Sequence, residues 1–188
     1  MLVIGVGNRY RSDDGAGLEV AARLRARGTV LVRESEGEPV ALLDVWEGAH
    51  AAIIVDAVAS GSPPGTIHRF DATTTPLPAS IAGAPSTHAV GLGQAIELAR
   101  ALGRLPAKLI VFGIEGKSFS AGEQLSPQVT AALESLTEQV HQEVLATAKV
   151  PAKGRTDLTA ALESLTDQAH QDVLPTEEVP AVGRTDDA

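Results

Sequence analysis

Leu2-Val3-Ile4-Gly5-Val6-Gly7-Asn8-Arg9-Tyr10-Arg11-Ser12-Asp13-Asp14-Gly15 carries an apolar run that ends in a glycine turn and then a pair of acids. A short apolar run without polar alternation reads as a strand buried on both faces, the kind found inside parallel sheets. Behind the acids comes a helical pattern, with Leu18, Ala21, Ala22 and Leu24 on one side. Strand, glycine turn and helix in immediate succession form the opening half of a βαβ unit.

The same grammar recurs downstream. Residues 29–32 read as a second strand, and 39–46 as a short helix with Pro39 in its first turn. Residues 51–55 are again fully apolar and run into Asp56, which ends that strand. Residues 66–70 make a shorter, more polar strand suited to a sheet edge. A loop over 71–87, rich in Thr, Pro, Ser and Ala, leads to His88 and a helix over 90–102 stopped by Gly103. Residues 108–114 are the third strongly apolar strand, and Ser126 (N-cap) with Pro127 (first turn) opens the last helix of the body. This alternation predicts an α/β fold, a three-layer αβα sandwich around a mostly parallel sheet. Ligands in such folds sit beyond the carboxyl ends of the strands.

Composition narrows the function classes. The 188 residues suit one domain with a remainder, and with 44% hydrophobic but only 3% aromatic residues the core must be aliphatic. No apolar run reaches membrane-span length, and Met1-Leu2-Val3-Ile4 has no basic segment before it, so it reads as a strand rather than a signal peptide. The absence of cysteine excludes disulfides and thiolate chemistry and fits a cytoplasmic protein. The net charge is −9, and residues 151–188, with three basic and eight acidic residues, carry over half of it. Neither segment offers the basic face that nucleic acid requires. Residues 130–157 recur at 159–186, a shift of 29, with 21 of 28 positions identical. The expected organisation is therefore a body over 1–150 and an acidic duplicated tail over 151–188, in which Ala169 replaces Val140 and thins the apolar stripe.

Asp14, Asp56 and His88 each adjoin a buried element at the same predicted rim of the sheet. Two carboxylates and an imidazole suit a divalent metal such as nickel or zinc, and equally suit acid–base work on water. Plainer readings stand beside this one. Asp13 or Asp14 serves as a helix cap, Asp56 binds turn amides, and His88 is a surface residue. The turn Gly5-Val6-Gly7 has the start of a dinucleotide fingerprint, but Tyr10 occupies the third glycine position. Glu138 with His141, and Asp167 with His170, share helical faces; a solvated face is the plainer account of both.

Taken together, four segments resemble the hydrogenase maturation protease family. They are the run from Gly5 to Gly17, then Ile54-Val55-Asp56-Ala57, then Ser86-Thr87-His88 with Gly91-Leu92, and last Phe112-Gly113-Ile114-Glu115 followed by Leu125-Ser126-Pro127 and Val129. They occur in family order over about residues 1–145. The resemblance implies a five-stranded twisted sheet between helices and an endopeptidase that trims the C-terminus of a nickel–iron hydrogenase large subunit after nickel insertion. It assigns Asp14, Asp56 and His88 as the catalytic, metal-contacting triad, with nickel carried by the precursor rather than resident. Asp14 stands where the family often has Glu, and Glu36-Gly37-Glu38-Pro39 replaces a Gly-Thr type sequence associated with substrate recognition. The expected partner is the nickel-loaded precursor, met by a cytoplasmic monomer with no nucleic acid or membrane. Neither HExxH nor a Ser–His or Cys–His system is evident, which leaves attack by water. A maturation chaperone that binds nickel or precursor without cutting is the alternative.

Overall fold

The computed structural model describes residues 1–28, 30–82 and 87–148, with side chains left undescribed at 82 and 87–90. Strand β1 (Leu2–Val6) leads through a single 3₁₀ turn (Ser12–Gly15) into α1 (Ala16–Arg27). Then follow β2 (Leu31–Ser35), α2 (Pro39–Val45), β3 (Ala51–Val58) and β4 (Ile67–Asp71). The chain continues through α3 (Ala79–Ala82), α4 (Thr87–Ala101), β5 (Lys108–Glu115) and α5 (Pro127–Ala148). The five strands lie in the order β2-β1-β3-β5-β4, all parallel except β4, which runs antiparallel to β5.

Two aliphatic cores sandwich the sheet, which gives the three layers expected. Ile4, Ile54, Val58 and Val111 pack toward α2, α3 and α4; Val3, Ile53, Val55 and Phe112 pack toward α1 and α5. Both faces are covered because every parallel crossover lays a helix on the sheet. In α5 the buried residues Val129, Leu133, Leu136, Val140 and Val144 recur at three and four positions, one stripe of a helix. Each contributes roughly 1.5–3 kcal/mol by leaving water. The second copy of this segment, and the proposed tail over 151–188, lie outside the described residues.

Several boundaries differ from the sequence reading, each for a tertiary reason. The second strand covers 31–35 rather than 29–32, because Gly28 closes α1 in the left-handed conformation (φ 67°) and β2 pairs with Leu2 through Val6. The third strand does not end at Asp56 but continues to Val58, since Asp56 stays in register with Gly113 and Val58 with Glu115. The loop over 71–87 holds buried Ala72 and Ile81 and the short α3, so part of it is core. The fourth helix starts at Thr87 rather than 90. Ser126 does not cap α5 with its hydroxyl, which meets no partner among the described residues; its amide is held by Asp13 instead.

Close backbone packing sets α1 against the sheet. A Cβ on Gly5 would overlap the carbonyl oxygen of Gly17, and one on Gly17 would overlap the carbonyls of Val6 and Val55. Gly7 turns the chain at φ 140° with the Asp14 carbonyl against it, where a side chain has no room. The strand-to-helix turn is thereby drawn in until the acids before α1 are buried at the carboxyl rim of the sheet.

Candidate active site

Asp13, Asp14 and Asp56 are all completely buried, an unusual state for carboxylates. Asp13 explains itself structurally. Its Oδ2 accepts from the amides of Lys117 (2.8 Å) and Ser118 (3.0 Å), and its Oδ1 from the amide of Ser126 (2.6 Å). It therefore braces the segment between β5 and α5 against the glycine turn, and it does not cap α1, whose N-cap is Gly15 with no side-chain cap bond.

Asp14 and Asp56 are different. Asp14 Oδ2 accepts from the amide of Asn8 at 3.1 Å, inside the glycine turn. Asp56 Oδ1 accepts from the amide of Ala57 at 2.8 Å, while its Oδ2 meets no donor among the described residues. Burial, and then the negative charge of Asp14 nearby, raise the Asp56 carboxyl well above the usual carboxylate range. Asp56 lies on β3 between Ile54 and Val58, and so faces the side covered by α4.

His88 lies in the first turn of α4; its side chain is outside the described residues. One turn further on, a Cβ at Gly91 would meet the Gly37 carbonyl, so the start of α4 rests on the loop leaving β2. That puts the backbone of His88 at the same end of the sheet as the two acids. No group of three or more His, Cys, Asp or Glu among the described residues has an arrangement that holds a metal.

A fourth buried acid at this rim was given no role of its own in the sequence analysis. Glu115 ends β5 and accepts from Ser60 Oγ (2.7 Å) and the Gly61 amide (2.8 Å), with His68 Nε2 at 3.5 Å from its other flank. An acid closing an apolar run, as at Asp56, was the available clue. Its partners tie the loop after β3 and are already in place. Glu138, by contrast, bonds Arg27 at 2.9 Å and Gln142 at 2.7 Å, so the Glu138–His141 face serves helix packing.

A match to the family model described as hydrogenase maturation protease covers residues 19–143. The chain belongs to the hydrogenase maturation protease family. The protease is 29% identical over 164 residues to the hydrogenase expression/formation protein HupD of Thiocapsa roseopersicina, covering 84% of this chain and 72% of the relative. It is 29% identical over 145 residues to the hydrogenase 2 maturation protease of Escherichia coli K12, covering 74% and 87%. The solved hydrogenase maturating endopeptidase HybD of E. coli superposes with a TM-score of 0.68 at 28% identity, over 83% of this chain and 98% of that one. The protease is thus a peptidase of hydrogenase maturation with the fold of that family.

Within that fold, the Asp14–Asp56 pair has a specific chemical capacity. The two carboxylates lie near enough for the charge of Asp14 to raise Asp56, and a proton or a cation placed beside them would relieve that repulsion.

Proposed function

We propose that this protease removes the C-terminal extension of a nickel–iron hydrogenase large-subunit precursor after nickel has entered it. The carrying observation is the buried pair Asp14 and Asp56, in which Asp56 is driven toward its protonated form by burial and by its neighbour's charge. A dry pair of like charges favours a divalent cation, and the precursor's nickel supplies one. Asp14, Asp56 and His88 contact that nickel and so register the scissile bond. Water adds to the peptide carbonyl as a carboxylate of the pair accepts its proton, and that proton passes to the departing amine nitrogen as the C–N bond breaks. The family match and the family-ordered motifs support this assignment.

Among the described residues no helix is long and apolar enough to cross a membrane. The test is cleavage of purified precursor, with and without nickel, by the wild-type protein and by Asp14→Asn, Asp56→Asn and His88→Gln. The wild-type protein should shorten the loaded precursor, and the variants should lose that activity. Full processing by all three variants would falsify the assignment. Binding of the loaded precursor with no change in its mass would establish a chaperone instead.

A further inference from the structure

From the open edge of the sheet, we infer that the precursor's C-terminal extension binds as an added, extended strand along β2, in the cleft beside the glycine turn. This rests on the reading just proposed and deepens it by naming how the peptide is held. The cleft measures about 280 Å³ and is lined by Asn8, Arg9, Tyr10, Leu18, Glu34 and Glu36. It begins at the candidate site, because the Asn8 amide bonds Asp14 and the Gly7 backbone touches it.

Among the described residues β2 pairs only with β1, and none of their strands lies along its other edge. The Gly7 amide bonds the Ser35 carbonyl, which turns Ser35 toward β1. In a parallel strand the N–H and C=O of one residue face the same neighbour, and alternate residues face opposite sides. Val32 and Glu34 therefore present both groups outward. Charged side chains on an edge ordinarily deter another strand, but here they are engaged elsewhere. Arg33 bonds the Val45 carbonyl at 2.8 Å, and Glu34 is held by Arg25 at 2.7 Å and Arg9 at 3.5 Å.

Tyr10, 62% exposed despite its size, and half-buried Leu18 line the cleft together with Glu34. An extended peptide that bonds Val32 and Glu34 sets alternate side chains toward this apolar pair, as in strand addition generally. Its occupant is a peptide chain rather than a small molecule, because the recognition is by backbone groups in series.

Glu34→Pro tests this directly. It removes an outward N–H, which an edge strand tolerates, together with the carboxylate that Arg9 and Arg25 bond. With nickel-loaded precursor as substrate, KM should rise about tenfold while kcat stays put, the scale of a lost backbone bond. Glu34→Ala keeps the N–H but releases Arg9, and should give an intermediate KM. Should Glu34→Pro misfold, Tyr10→Lys should raise KM in the same way. Amide exchange over 31–36 in the full chain, carrying Asp14→Asn to prevent turnover, should slow when loaded precursor is added at a concentration where co-elution shows the complex has formed. A wild-type KM in folded Glu34→Pro, or unchanged exchange over 31–36, overturns the inference and leaves the proposed function standing. Failure of the wild-type protein to cleave overturns both.

Discussion

Asp13, Asp14 and Asp56 have the same side chain and the same complete burial, yet three different fates. Asp13 is satisfied by three amides, and Asp13→Ala should therefore cost about 2–4 kcal/mol by stranding those donors; denaturant unfolding measures it. Asp56 is the opposite case. Its folded-state carboxyl sits above the ordinary value of 3.8, so the folded protein binds the proton more tightly than the unfolded chain. Ionisation then works against the fold, and that penalty grows as pH rises from the ordinary value through the raised one. Asp56→Asn should raise the melting temperature at neutral pH, lose that advantage below about pH 4, and abolish processing. Equal melting temperatures for both proteins at pH 7 would contradict the origin assigned to the shift. The adjacency of two acids in the turn was plain in the sequence. Which one braces and which one faces Asp56 was not, because that depends on amides 104 to 113 residues away, at Lys117, Ser118 and Ser126.

At the scale of elements, the strand-to-helix unit is held by close glycine contacts as well as by polar bonds such as that from the Asn8 amide to Asp14. Gly17→Ala drives a methyl group into two carbonyls, of Val6 and Val55, and should destabilise by about 3 kcal/mol or more, with α1 displaced and Asp14 carried out of position. Loss of processing together with a lowered melting temperature is the expected result. The α1–α5 ion pairs of Arg23 and Arg27 with Glu134 and Glu138 are largely exposed and screened by water, so they add little beside the buried stripe of α5. Apolar continuity made the three central strands, the edge strand and the five-strand alternation legible before any coordinates. Pairing decided the ends: β3 runs past Asp56 because β5 continues beside it, and β2 slides to match β1. A polar Asp inside a strand looks like a strand end when its partner strand is unknown.

For the whole molecule, the described residues already contain both cores and the rim that holds Asp14 and Asp56. A chain ending at Ala148 keeps all of α5 and should melt and process precursor like the full chain; a large loss of either would give residues 149–188 a part in folding or catalysis. The central claim concerns a cation brought by the substrate to a buried pair of acids. Its most direct measurement is the mass of a purified large-subunit precursor after incubation with the wild-type protein, once loaded with nickel and once without. The account predicts a shortened C-terminus for the loaded form alone. Equal shortening of the nickel-free form would contradict it.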